Sequence, residues 1–211
     1  MTGSMADLEE AILMHRESLS LCPAPHPDHS FSLNNLANAF LYRFQQTGSM
    51  TDLQEVILLF CESLSLHPTS HPYHSGSLYN LANALLKHSG KTGSMTDLEE
   101  AILLHRESLS FRRTPHPNRS DSLYSLAHAL WERFRKTSSM TDLEEGISIL
   151  REALSLGVAA TYRLLDLKNL AHYLEILFRI NGNQSDFEEA ISLGQEILDM
   201  SKLHSDSSKT T

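Results

Sequence analysis

The chain has 211 residues, 41% apolar and 20% charged, enough apolar content for a folded core and against wholesale disorder. Its 26 acidic residues outnumber 17 basic ones, for a formal charge of −9. Arg112-Arg113 and Arg133-Phe134-Arg135-Lys136 are too short and local to make the basic patch of a nucleic-acid binder.

The start, Met1-Thr2-Gly3-Ser4-Met5-Ala6-Asp7, has neither a basic segment nor an apolar core of a secretory signal, and no apolar run approaches the ~20 residues that span a bilayer. A soluble, cytoplasmic chain is expected. Cys22 and Cys61 belong to no ligand-spaced cluster.

In chain order, the first predicted element is a helix over about 7–21. Its sequence returns almost unchanged later: residues 3–20 and 93–110 differ only at Ala6/Thr96 and Met14/Leu104. Met5, Met50, Met95 and Met140 stand 45 residues apart, and Asp7, Asp52, Asp97, Asp142 and Asp186 follow the same ladder, with a last step of 44. A fixed period of this length marks stacked repeats.

A His/Pro loop follows the first helix, at His26-Pro27-Asp28-His29-Ser30. It recurs as His71-Pro72-Tyr73-His74-Ser75 and His116-Pro117-Asn118-Arg119-Ser120. Proline stops the preceding helix and stiffens the connection. Helix pairs are then predicted over about 32–66, 77–111, 122–156 and 161–200. In the first pair Leu33, Leu36, Ala37, Phe40 and Phe44 recur at helical spacing. Gly48 and Gly93 supply left-handed stops between the members of a pair. Thr96 with Glu99, Thr141 with Glu144 and Ser185 with Glu188 have capping-box spacing, so Ala6 at the first helix predicts a cap weaker by ~1 kcal/mol. The fourth connection, Leu156-Gly157-Val158-Ala159-Ala160, lacks the His/Pro motif and leads into a longer helix near 161–180. The expectation is one repeat domain over 1–204 and a disordered polar tail over 205–211.

Asn35-Leu36-Ala37-Asn38-Ala39-Phe40, Asp52-Leu53-Gln54-Glu55-Val56-Ile57 and Leu64-Ser65-Leu66-His67-Pro68 resemble the tetratricopeptide repeat. Ala37, Ala82, Ala127 and Ala171 match the small residue of its first helix. Ala11, Ala101 and Gly146 match that of the second, with Val56 as the exception. The usual repeat is about 34 residues, and this one is longer by 11. The enlarged form resembles kinesin-light-chain-type repeats and the fungal arrays that precede CHAT domains, which are caspase-like. The resemblance implies an all-α, right-handed superhelical stack of antiparallel helix pairs.

Several residues invite catalytic or metal readings. His26/His29 and His71/His74 have a ligand-like spacing of three, but Arg119 breaks the pattern and no cysteine or carboxylate accompanies them consistently. A role in the repeat loop is expected. His15 and His105 occupy the place of Phe60 and Leu150, a packing position. The Glu9-Glu10, Glu99-Glu100, Glu144-Glu145 and Glu188-Glu189 pairs point about 100° apart on a helix and cannot converge on one atom. Neither cysteine has a recurring histidine partner. No enzyme and no cofactor is expected.

The resemblance instead implies a concave groove lined by the first helix of each pair. Carried over residue by residue, it places there Asn34, Asn38, Leu41 and Tyr42, then Tyr79, Asn83, Leu86 and Lys87. Tyr124, His128, Trp131 and Glu132 follow, then Lys168, His172 and Glu175. Asn38 and Asn83 match asparagines that hold a peptide C-terminus in some members, but the basic residues of that clamp are not matched at Asn34, Tyr79 or Tyr124. A scaffold that binds a protein or peptide segment is the function implied. The alternative is a regulatory or substrate-recruiting part of a CHAT-type protease. The uncovered first helix, around Leu8, Ala11 and Ile12, adds an expectation of self-association.

Overall fold

A computed structural model describes residues 5–207 except 25, 27 and 157–159. Among the described residues nine helices and no strand are found: α1 Met5–Leu21, α2 His29–Thr47, α3 Met50–Ser65, α4 His74–Thr92, α5 Met95–Phe111, α6 Arg119–Thr137, α7 Met140–Ser155, α8 Ala160–Asn181 and α9 Gln184–Ser207. The chain divides into two compact units, Met1–Phe111 and Arg112–Thr211. In the first, α2 pairs with α3 and α4 with α5, while α1 packs on α2 and α3 on α4. In the second, α6 pairs with α7 and α8 with α9, and α7 packs on α8. Both are all-α stacks of antiparallel helix pairs. The longer helix expected near 161–180 is α8. The tail predicted from 205 is helical to Ser207 and otherwise lies outside the described residues.

The apolar ladders form the core. Leu33, Leu36, Ala37, Phe40, Val56, Phe60, Leu81, Leu85 and Ala101 are buried together in the first unit. In the second, Leu123, Leu126, Ala127, Leu130, Leu143, Leu150, Leu170 and Leu174 are buried. The small residues allow close helix approach. A Cβ built on Gly146 of α7 stands 4.0 Å from the Ala127 carbonyl of α6 and 3.1 Å from the Tyr173 ring. Tyr173 of α8 therefore enters where α6 and α7 come nearest, and its hydroxyl donates to the Ala127 carbonyl at 3.2 Å. Burial pushes that phenol well above its usual range, so it stays a donor.

The Thr-Gly-Ser-Met turn works through local bonds. Thr47 Oγ1 donates to the Arg43 carbonyl at 2.8 Å and accepts from Ser49 N at 3.2 Å. Gly48 takes φ +71°, which costs glycine little. The expected capping boxes need correction. The N-cap of α3 is Ser49, which accepts from Asp52 N, and Ser94 does the same for Asp97 N. Thr96, Thr141 and Ser185 lie inside their helices, as does Ala6, so no weaker cap follows from Ala6. The caps stand two residues earlier than the capping-box spacing assumes, because the serine after the glycine is already in extended geometry, as Ser49 shows.

The aspartate ladder is a second device. Arg43 donates twice to the buried Asp52, at 2.8 and 2.6 Å, and Arg133 does the same to the buried Asp142. His88 meets Asp97 at 2.6 Å. Each pair ties the end of a first helix to the start of the second across the turn. The Asp52 bond and charge raise the Arg43 guanidinium further, against a smaller opposing effect of burial.

The His/Pro segments are also not plain loops. First helices begin at His29, His74 and Arg119, three residues earlier than predicted. The first histidine of each motif closes the turn: His26, His71 and His116 Nδ1 accept from the backbone N–H two residues on, at 3.1–3.2 Å. The second residue, at the start of a first helix, reaches the preceding connection and the second helix of its own pair. His29 Nδ1 meets the Cys22 carbonyl at 2.6 Å and its Nε2 meets Glu62 at 3.2 Å. His74 contacts the His67 carbonyl at 2.6 Å and faces Glu107 at 3.7 Å. Arg119 donates to the Arg112 carbonyl and to Glu152, both at 2.8 Å. Arg163 donates to Glu196 at 3.0 Å. The glutamate lies 33 residues beyond its partner in all four cases. The position takes a side chain that reaches both a backbone carbonyl and the glutamate 33 residues on, and arginine does this as histidine does, which explains Arg119.

Candidate functional site: the first-helix faces and a pocket between α2 and α4

The predicted groove residues divide into those left open and those already engaged. Asn38, Tyr42 and Lys87 are exposed on α2 and α4, and Asn83 is half-buried beside them. On α6 and α8, Lys168 is exposed, and His128 and His172 are exposed but in ring contact with Tyr124 and Trp131.

Other positions turn toward neighbouring helices. Asn34 Nδ2 donates to the Ser30 carbonyl and to Ser63 Oγ of α3, both at 2.8 Å. The Tyr79 ring lies edge-on to the buried His105 of α5, with centroids 5.7 Å apart. This agrees with the packing role read for position 105, where Phe60 and Leu150 are equally buried. Tyr124 stacks one turn along on His128.

Trp131, expected as an exposed groove residue, is half-buried in an aromatic cluster. It stacks on Tyr173 at 4.7 Å and meets His172 at 5.0 Å and Phe134 at 5.4 Å. Tyr173 draws it in, because two large faces at this distance exclude water from both.

Sequence reasoning missed a pocket of about 440 Å³ between the starts of α2 and α4, lined by residues that include Asp28, Phe31, Asn34, His67, Tyr73 and Gly76. Among its lining residues His67 is buried, near the start of the α3–α4 connection. His67 Nδ1 meets Ser77 Oγ at 2.7 Å and Nε2 meets Ser30 Oγ at 2.9 Å, so the ring joins the starts of α2 and α4. His71 stacks on it at 4.2 Å. Burial first, then the imidazoles of His71 and His74, lower the His67 pKa. The ring is therefore neutral at pH 7. The one signal in the sequence was Gly76, where the 45-residue step puts Phe31 and Asp121.

Among the described residues no three His, Cys, Asp or Glu side chains are grouped to hold a metal. The loop histidines are committed to turns and bridges. Burial, then the Glu100 charge, pushes the Cys61 thiol up, the opposite of nucleophile activation. Among the described residues no helix is long and apolar enough to cross a membrane.

Comparison with known proteins agrees with this architecture. Residues 32–73 match the family model of the tetratricopeptide repeat. A comparison with curated protein sequences finds no match. Among solved structures, the chain resembles a Podosopora anserina protein assigned as a kinesin light chain with nearly identical TPR-like repeats. Two forms of that protein match, at TM-scores of 0.69 and 0.65 and identities of 18% and 20%. They cover 95% and 93% of this chain and 90% and 88% of theirs. A MamA double mutant aligns over 91% of this chain and 88% of its own, with TM-score 0.61 and 16% identity. Residues 32–73 are thereby identified as a tetratricopeptide repeat, and the fold as one of tetratricopeptide-like, enlarged helix pairs.

Proposed function

We propose that the protein is a non-catalytic interaction scaffold that holds a protein segment along the faces of its first helices. The observation that carries this reading is the set of side chains left open there: Asn38, Tyr42, Asn83 and Lys87 on α2 and α4. Amides bond an extended backbone through both donor and acceptor, and tyrosine buries a ring while keeping a polar tip. The repeat fold supports protein interaction in general, since stacked helix pairs present extended surfaces of this kind.

The test uses a peptide selected by display on the folded protein. Asn38→Ala and Asn83→Ala are expected to weaken its binding several-fold while each costs under ~1 kcal/mol in stability, as substitutions at such surface positions do. Unchanged affinity in both variants sinks the assignment of this face.

A further inference from the structure

The pocket between the starts of α2 and α4 has a chemistry of its own. At Gly76 a Cβ would meet open space, and the wall stands back there. Phe31 and Tyr73 present rings that are 66% and 69% exposed. The carboxylate of Asp28 stands at the rim, 72% exposed.

Inside, Asn34 Oδ1 is buried and has no hydrogen-bond partner among the described residues, because the amide nitrogen alone serves Ser30 and Ser63. A buried acceptor without a donor is an unfavourable state that a donating ligand relieves. No lysine or arginine lines the pocket; its two histidines are His67, whose pKa burial lowers, and His71, which stacks on it. The volume of about 440 Å³ falls within the roughly 300–1,000 Å³ of sites that take small ligand groups.

Ring faces, a rim carboxylate whose nearest basic group is His26 at 3.9 Å, and a buried acceptor without a donor are what a basic group requires. We infer that this pocket receives a basic side chain, arginine in the first instance, from the protein segment lying on the α2–α4 face. Guanidinium suits it better than ammonium: it is flat enough to lie on Phe31 or Tyr73, and its five donors can serve Asn34 Oδ1 and Asp28 together. The chain's formal charge of −9 favours the approach of such a segment. The inference rests on the scaffold reading and specifies the partner's chemistry.

The test is an NMR titration of the intact chain with the acetylated, amidated tripeptide Ser-Arg-Ser and with its lysine, citrulline, norleucine and glutamate counterparts. The arginine peptide is expected to shift the side-chain amides of Asn34 and of Asn80, which also lines the pocket, and the backbone amide of Gly76. It should bind at least five-fold more tightly than the citrulline and norleucine forms, with lysine between. Asp28→Asn should remove most of that preference, and the Asp28 side chain makes no capping bond to α2 whose loss could disturb the helix.

Equal binding of arginine, citrulline and norleucine, or tighter binding of glutamate, overturns the inference. If a display-selected peptide still perturbs Asn38 and Asn83 in that case, the scaffold reading survives and only the basic side chain is wrong. If no peptide perturbs that face, both fail.

Discussion

Asp166 lies on α8 where the repeat step places Ser32, Ser77 and Ser122, and all four are buried. A serine there can donate and accept without charge, whereas an aspartate at pH 7 brings a carboxylate into the core. Burial first, then the Asp121 charge, raises its pKa from the ordinary 3.8 to about 6. In the folded state the protonated acid is therefore the favoured form only below about pH 6, and at pH 7 the carboxylate is held in the core at a cost. The stability it contributes is complete below pH 3.8 and is lost as the pH rises through about 6. A shift of about two pH units, at about 1.4 kcal/mol each, sets the cost of the ionised form at about 3 kcal/mol. Asp166→Ser should stabilise the protein by up to that amount at pH 7 and by almost nothing at pH 4. At about 2–4 °C per kcal/mol for a chain of this size, the gain at pH 7 is a Tm rise of up to about 10 °C. Urea unfolding of wild type and variant across pH 4–8 measures it. A variant less stable than wild type at every pH, or a difference independent of pH, would refute the reasoning. It would show that the carboxylate is held by bonds that favour its charge.

Trp131→Ala should cost about 2–3 kcal/mol, from lost burial and the broken stack on Tyr173. A thermal melt close to wild type would return Trp131 to the open face. His29→Ala should cost about 1–3 kcal/mol by stranding the Cys22 carbonyl, while His29→Arg, which copies Arg119, should keep most of the stability in the same urea assay. Added zinc should leave the Tm of the wild type unchanged, since bound metal at a hundredfold excess over Kd would add ~2.7 kcal/mol. Ala101→Phe should overpack its fully buried site by ~1–3 kcal/mol or more. Ala11→Phe, at the half-buried equivalent on α1, should be nearly neutral, and parallel melts of the two separate the cases.

The features legible in the sequence are those that repeat and act locally. The methionine, aspartate and Leu-Ala ladders announced helix pairs because each unit must bury the same stripe. Gly48 and Gly93 announced the turns because left-handed geometry selects glycine. The Ser94 cap was readable but hidden by Thr96 two residues on, which has capping-box spacing to Glu99.

The bridges formed by His29, His74, Arg119 and Arg163 needed a comparison across 33 residues, although the exchange of histidine for arginine was the clue. Tyr173 could not be anticipated, since its place depends on Gly146 and Ala127 leaving room in two other helices. Nor could the pocket: it exists because Gly76 withholds a side chain at one step of the ladder while Asn34 spends its amide nitrogen on α3. The groove itself was read only by analogy; Asn38, Tyr42 and Lys87 are exposed and Asn83 is half-buried.

The central claim is that binding uses the first helices and not the outer sides of the second. The outer sides offer a competing surface, since Leu58 and Leu103 are each 63% exposed. A photo-crosslinking residue placed at position 38, 83, 58 or 103 in turn, with a display-selected peptide at its Kd, decides between them. The scaffold reading predicts efficient crosslinks from 38 and 83 and background levels from 58 and 103. Crosslinks from 58 and 103, with none from 38 and 83, would contradict it.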